Sequence, residues 1–422
     1  MSDGDLARAA VAGGAVVALG LLLAFGLPGG YNTTLVAVGA TLLGAAAGAS
    51  GTFLVLRQRA LVSDAVAHAT LPGVGLAFVV MVALGGDGRS LAGLIAGSAL
   101  SATLGLLAVN AMARRTRLAE DAAIGAVLSV FFGLGIVLLT VIQTMSSGRQ
   151  AGLEDFLLGS TAGMLFADAV LIAVGGGAAA LATVLLRRPM TIVAFDPQYA
   201  ASRGIPVARV DLAVMGIVMM VTVVGLKLVG LVLIVALLII PPVAARFWTE
   251  RAHDVLWIAA LIGGASGAIG AALSASARGL PAGPIIVLVA TAIFLASLFL
   301  APTRGVLAAV VARRRFATRV HRRQGLLAMA RREPIHDTMT LAVLSREGLI
   351  RPDGVPTDPG RALAARAAHD ERRWAAARRI HQDTALPGRY DGLTPIEAVL
   401  TPDEITEVDR HLGSRTPAGQ PS

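Results

Sequence analysis

Asp64 and His68 stand four residues apart inside an otherwise apolar run, Leu61-Val-Ser-Asp64-Ala-Val-Ala-His68-Ala-Thr-Leu-Pro72-Gly73. On a helix that spacing stacks the two side chains on one face. Pro72 follows His68 by four residues and has no N–H to give the His68 carbonyl, so an oxygen is left without its helical donor beside the carboxylate and the ring. Carboxylate oxygen, imidazole nitrogen and a free carbonyl are donors that suit Mn²⁺, Fe²⁺ or Zn²⁺. The same residues also suit a mutually satisfied Asp–His pair that does nothing more than cap or hydrogen-bond a neighbour. Glu120-Asp121 poses the same choice. It opens another apolar run, so Asp121 is either a second carboxylate for a divalent ion or an acid complementing a helix N-terminus. Asp168 and Asp211, near the ends of other runs, read as cap or interface residues.

What must position these groups is a membrane domain. Of 422 residues 55% are hydrophobic and only 15% charged, which excludes an ordinary water-soluble enzyme. The absence of cysteine excludes disulfides, thiolate metal sites and a cysteine nucleophile. Ten runs approach the ~20 residues that cross a bilayer. They fall at 6–27, 34–56, 61–84, 91–113, 121–143, 164–186, 207–226, 228–246, 255–276 and 283–302. The start of the chain lacks a signal peptide's basic leader and small-residue cleavage site, so 6–27 is expected to stay as a helix. With a cytoplasmic N-terminus, Arg57, Arg59, Arg114, Arg115, Arg117, Arg187, Arg188, Arg203, Arg209, Arg246 and Arg251 fall in inside loops. Outside loops receive only Arg89, Arg149, Lys227 and Arg278. Gly44-x-x-x-Gly48 and Gly263-x-x-x-Gly267 predict a tightly packed bundle, and Pro241-Pro242 predicts a kink or break.

The charge excess lies at the other end. Residues 303–422 hold 20 Lys/Arg against 14 Asp/Glu, while residues 1–302 hold 16 against 13. The expected fold is therefore an all-α polytopic membrane protein of about ten transmembrane helices, residues 1–304, with 6–27 an extra N-terminal helix. A basic cytoplasmic domain, 305–422, small and α or α+β, follows.

No G-x-x-x-x-G-K-[ST] loop occurs, and Lys227 is the only lysine. The chain therefore has no phosphate loop of that kind for ATP, and must be a secondary transporter, a channel or one subunit of a larger machine. Residues 187–206 are too polar to insert and are read as a loop. Within it Asp196 is placed to cap a short helix begun by Pro197 and stopped at Gly204. Such an element is either a docking helix or a plain amphipathic connector.

These segments together resemble the permease of ABC-type manganese/zinc/iron importers. The resemblance rests on Gly51-Thr-Phe-Leu-Val-Leu-Arg57, on Leu61 through Gly73, on Gln150-Ala-Gly-Leu-Glu154-Asp155-Phe-Leu-Leu-Gly159 and on Phe195-Asp196-Pro197 through Gly204-Ile-Pro206. Val224 through Pro241 and Leu280-Pro-Ala-Gly-Pro284 extend it, so it runs in order over roughly residues 33–304, and 6–27 looks like an addition. It implies a subunit that is no enzyme itself, in a bacterial plasma membrane with both termini cytoplasmic. It also implies a homodimer or paired permease, an extracytoplasmic metal-binding protein, and a separate ATPase docking on Phe195, Asp196, Pro197, Tyr199 and Gly204. Mn²⁺, Zn²⁺ or Fe²⁺ would pass Asp64 and His68, with Asp121 a further ligand, as cargo and not as a resident cofactor. An autonomous proton-driven cation carrier is the competing function.

The tail is similar to the helix-and-wing of the diphtheria-toxin-repressor family. Leu341-Ala-Val-Leu-Ser-Arg346-Glu-Gly348-Leu-Ile350-Arg-Pro-Asp353-Gly354, Asp358-Pro-Gly360-Arg361, Arg372-Arg-Trp374 and Ile396-Glu397-Ala398 carry that likeness. Where that family has a Glu-His metal pair this chain has Glu397-Ala398, and Glu371 replaces the His before Arg-x-Trp. Pro417-Ala418-Gly419 stands for a late Pro-His-Gly. A cytoplasmic interaction module whose metal sensing is lost is the expectation. The segment upstream of Leu341 reads as short for a DNA-binding unit, and nucleic acid is not the expected partner.

Overall fold

The computed structural model describes residues 30–86, 88, 90–144, 164–277, 280–380 and 390–413. The runs at 6–27 and 150–159 and Pro417–Gly419 lie outside them. The chain divides into two compact units that meet between Ala308 and Ala309.

Every element of the first unit among its described residues is a helix. Its elements are α1 (Gly30–Leu56), α2 (Ala60–Ala83), α3 (Leu91–Arg115), α4 (Glu120–Thr144), α5 (Phe166–Phe195), α6 (Pro197–Ser202), α7 (Val207–Ala245), α8 (Ala252–Ala275) and α9 (Ala282–Leu300). Among the described residues eight segments are long and apolar enough to cross a membrane. They are contributed by α1 to α5, by Val207–Leu226 of α7, and by α8 and α9. The run expected at 228–246 is different. Gly230 has φ 76° and ψ 172°, which breaks α7 and leaves Leu233–Ala245 as a shorter apolar helix. Thirteen residues rise only about 20 Å, short of the ~30 Å hydrocarbon core. The interruption falls at Gly230, where only glycine readily adopts that backbone, and Pro241-Pro242 lie inside the helix that follows.

A second departure concerns 187–206. Residues 187–195 continue α5, which contains Pro189 and is 30 residues long. The buried positions Ile172, Gly176, Ala179, Thr183, Met190 and Val193 keep helical spacing past the Arg187-Arg188 pair, so packing carries the helix through a polar stretch.

Helix α1 is the hub, packed against α8, α7 and α5. The two small-residue motifs face each other: a Cβ on Gly44 would overlap the Gly263 carbonyl, and a Cβ on Gly263 would overlap that of Gly44. Helix α2 packs on α3 and α4. There Gly73 and Gly97 meet in the same way, each backbone against the other's carbonyl.

The second unit consists of α10 (Val306–Arg331), which begins just ahead of its boundary, then α11 (Thr338–Arg346), α12 (Asp358–Ile380) and α13 (Pro402–Gly413). The segment upstream of Leu341 contains the 26-residue α10. Leu326, Leu344, Leu349, Ile350, Ala364 and Ala367 form one small core and Trp374, Ile396, Leu400 and Val408 another. Among the described residues no strand is found, so this unit takes the α form of the two expected. The anticipated wing is a single antiparallel bridge between Ile350 and Pro356 around the Gly354 turn. Pro352 and Pro356 withhold the donors a longer ladder needs.

Candidate metal pathway and docking elements

In α2, His68 Nε2 lies 3.3 Å from Asp64 Oδ1. Two donors each about 2.1 Å from a shared ion, at an angle of roughly 100°, have that separation. The His68 ring is held edge-on against Phe132 of α4, with centroids 5.0 Å apart at 84°. Its Nδ1 is buried and has no hydrogen-bond partner. Phe132 and the close approach of Gly135 to Leu71 and Pro72 fix α4 against the turn that carries the pair. With Pro72 inside α2, the His68 carbonyl also lacks its helical donor. The pair is partly accessible: the side chain of His68 is 21% exposed and that of Asp64 38%. One side of the pair is open while the other is packed.

Asp121 is not gathered to this pair. It sits exposed in the first turn of α4, and among the described residues no three His, Cys, Asp or Glu side chains cluster. Its neighbour Glu120 is turned to Arg59, whose Nε lies 2.8 Å from Glu120 Oε1. Asp168 accepts from the Leu165 N–H at 3.0 Å and so caps α5.

Arg57 and Arg59 read in the sequence as topology signals, and Arg57 also closes the Gly51–Arg57 segment. They build a network. Arg57 donates from Nη2 to Asp211 Oδ2 at 2.9 Å and from Nη1 to the Val193 carbonyl at 2.9 Å. Arg59 Nη1 is 3.2 Å from the same Asp211 oxygen. Arg57 and Asp211 are about six-sevenths buried. Gln58, between the two arginines, is in the left-handed region at φ 57°, which lets consecutive odd-numbered side chains reach the same carboxylate. The network joins the α1–α2 corner to α4, α5 and α7. Beside it Arg59, Asn110, Glu120 and Asp211 line a cleft of about 200 Å³. The available signal was the alternation Arg57-Gln-Arg59 before a helix, with unpaired acids elsewhere.

Val193 lies two residues before the segment read as a docking element. There Asp196 caps α6, accepting from Tyr199 N–H at 2.8 Å, and Pro197 occupies the first turn. Gly204, at φ 77°, turns the chain away. Phe195 is 65% exposed and Tyr199 50%, with Arg203 above the Tyr199 ring at 5.9 Å. A rigid corner thus presents two uncovered aromatic rings.

Residues 31–301 match the model of the ABC 3 transport family. The chain belongs to that family. Among similar ABC 3 proteins, the "Manganese transport system membrane protein MntC" of Bacillus subtilis is 40% identical over 298 residues, which cover 71% of this chain and 67% of MntC. The "Zinc transport system membrane protein TroC" of Treponema pallidum is 38% identical over 68% of this chain and 94% of TroC. A solved structure of PsaBC from Streptococcus pneumoniae in complex with Fab superposes with a TM-score of 0.56 at 28% identity. It covers 65% of this chain and 94% of that one. In this chain the ABC 3 match stops before α10.

Proposed function

We propose that this ABC 3 protein is the membrane permease subunit of an ATP-driven importer of a divalent transition metal ion, Mn²⁺, Zn²⁺ or Fe²⁺. The observation that carries the reading is the Asp64–His68 pair, 3.3 Å apart on one face of a helix apolar enough to cross a membrane. An intramembrane carboxylate beside an imidazole costs stability and asks for a cation to repay it. The names of MntC and TroC support such cargo.

In this reading Asp64 supplies charge and His68 a neutral nitrogen, so the ion is held firmly enough to shed water and loosely enough to leave. Asp121, exposed in the first turn of α4, joins only if that helix moves. The chain carries no phosphate loop, so ATP is hydrolysed by a separate subunit seated on Phe195, Asp196, Pro197, Tyr199 and Gly204. Its push reaches α2 through Val193, Arg57, Asp211 and Arg59. An extracytoplasmic metal-binding protein delivers the ion, and two permease chains, identical or paired, form the path. The membrane is the bacterial plasma membrane, with both termini cytoplasmic.

We further propose that the second unit is a cytoplasmic module of diphtheria-toxin-repressor ancestry whose metal response is lost. Glu371, at one of the replaced ligand positions, receives Arg323 at 3.2 Å and the Tyr390 hydroxyl. Glu397 lies 3.3 Å from Arg373, which also clamps Asp409. Arginines neutralise the acids that a metal would otherwise meet.

Reconstitution in proteoliposomes tests the transport reading. With the ATPase and binding protein, metal uptake is expected to require ATP. Uptake by this chain alone along a pH gradient would establish the proton-driven carrier instead.

A further inference from the structure

Among the described residues the first half of α10 keeps its apolar side chains exposed. Val306, Leu307, Val310, Val311 and Phe316 are 42–53% exposed, while the second half of the same helix buries Gly325 and Leu326 in the tail core. Residues 306–319 extend for about 20 Å, and an isolated helix of that length is marginal in water. The segment therefore calls for a surface.

Its charge says which. Between Asp254 and Glu333 the chain contains no acidic residue, and from Arg304 to Arg332 it holds nine arginines. Farther along the tail four arginines are matched: Arg322 with Glu347, Arg323 with Asp370 and Glu371, Arg361 with Asp358, Arg373 with Glu397 and Asp409. Arg313, Arg314, Arg315 and Arg319 are exposed and, among the described residues, meet no carboxylate. Val306 follows the last membrane-crossing helix, α9, by only the five residues 301–305.

We infer that Val306–Arg319 binds anionic phospholipid headgroups, its aliphatic side chains entering the acyl boundary while the four arginines engage phosphate. The apolar residues occupy the first turns of the helix and the arginines follow them, so a segment joined to a membrane span carries the two attractions such a surface offers, apolar burial and counter-charge. Nucleic acid satisfies the arginines and leaves Val306, Leu307, Val310 and Val311 in water. Lipid takes both sets.

The full chain has no cysteine, so Phe316→Cys supplies a unique labelling site. The labelled protein goes into nanodiscs of phosphatidylcholine with and without phosphatidylglycerol, with headgroup spin-labelled lipid as quencher. Quenching is expected with phosphatidylglycerol, to weaken with added salt, and to be absent for a control label at Met339→Cys on α11. Adding Arg313→Gln, Arg314→Gln, Arg315→Gln and Arg319→Gln is expected to abolish most of it, because each arginine near an anionic surface contributes about a five-fold factor. Glutamine retains helix propensity, and an unchanged circular dichroism spectrum checks that the helix survives. Equal quenching in both lipid compositions overturns the inference. So does a label that lipid never quenches but a polynucleotide protects. Metal uptake plays no part in the readout, so the transport proposal stands or falls separately.

Discussion

Arg57 and Asp211, 154 positions apart in sequence, meet at 2.9 Å, and the same arginine holds the Val193 carbonyl two residues before the exposed Phe195. One guanidinium therefore ties the corner leading into the Asp64–His68 helix to the end of the helix that precedes the proposed docking segment. Replacing Asp211 by Asn leaves a mostly buried cation half-partnered, at a cost of about 2–3 kcal/mol. Thermal unfolding in detergent should show Asp211→Asn destabilised and the Arg57→Gln/Asp211→Asn double variant less so than the two single losses summed. Uptake should fall in both, with ATP hydrolysis by the assembled complex less affected.

The α1–α8 contact leaves no room for a side chain at Gly44 or Gly263. Gly263→Leu should cost at least about 3 kcal/mol and reduce folded yield, because the atom it meets is backbone and cannot turn aside. Gly177 of α5 has nothing within 4 Å of a built Cβ, so Gly177→Ala should lie within about 1 kcal/mol of the parent. Fluorescence-detected size exclusion after a heating series distinguishes the two.

The proposed docking corner predicts a separable loss. Phe195→Ala with Tyr199→Ala removes both exposed rings and should reduce co-purification of the ATPase about 10-fold or more while the permease stays folded. Asp196→Ala removes the cap of α6, at a cost of roughly 1 kcal/mol in that short helix, and should weaken the same association less. Retention of the ATPase by the double variant would place its seat elsewhere.

Acid should loosen the tail. Backbone N–H groups of Thr394 and Leu393 and the Thr394 hydroxyl hold Asp391 down to about 2. Its hydrogen bonds to Arg373 likewise hold Asp409 below the ordinary carboxylate value. Both folded values are depressed relative to the unfolded chain, where carboxylates titrate near about 4. Their stabilisation is thus complete above that value and is lost as pH falls from about 4 toward 2. Hydrogen exchange on the intact protein should show protection around Thr394 and in α13 disappearing over that interval. Asp391→Asn should flatten the dependence near Thr394.

Much of this was legible in the residues. Long apolar runs fix where bilayer-length helices form, and a four-residue spacing places Asp64 beside His68 wherever the chain is helical. Asp196-Pro197 and Gly204 punctuate α6 by local chemistry alone. Contacts made at a distance were not legible. Arg57 and Asp211 carry no mutual signal in a single sequence, and neither do the facing glycines of α1 and α8. Helix α5 outruns its hydropathy because Met190 and Val193 are buried by neighbours that local sequence does not reveal. Gly230 interrupts a run that composition alone reads as continuous. Asp121 shared the acidity and helix-start position of a ligand, and the tertiary fold leaves it exposed.

Uptake of radioactive Mn²⁺ or Zn²⁺ by the reconstituted importer, for the parent and for Asp64→Ala and His68→Ala, tests the central claim most directly. Both variants are expected to reach the membrane in normal amount and to lose uptake by about 100-fold or more, as removal of one of few cargo ligands requires. Uptake at the parent rate in either variant would contradict the account and leave the Asp64–His68 pair a structural feature of α2.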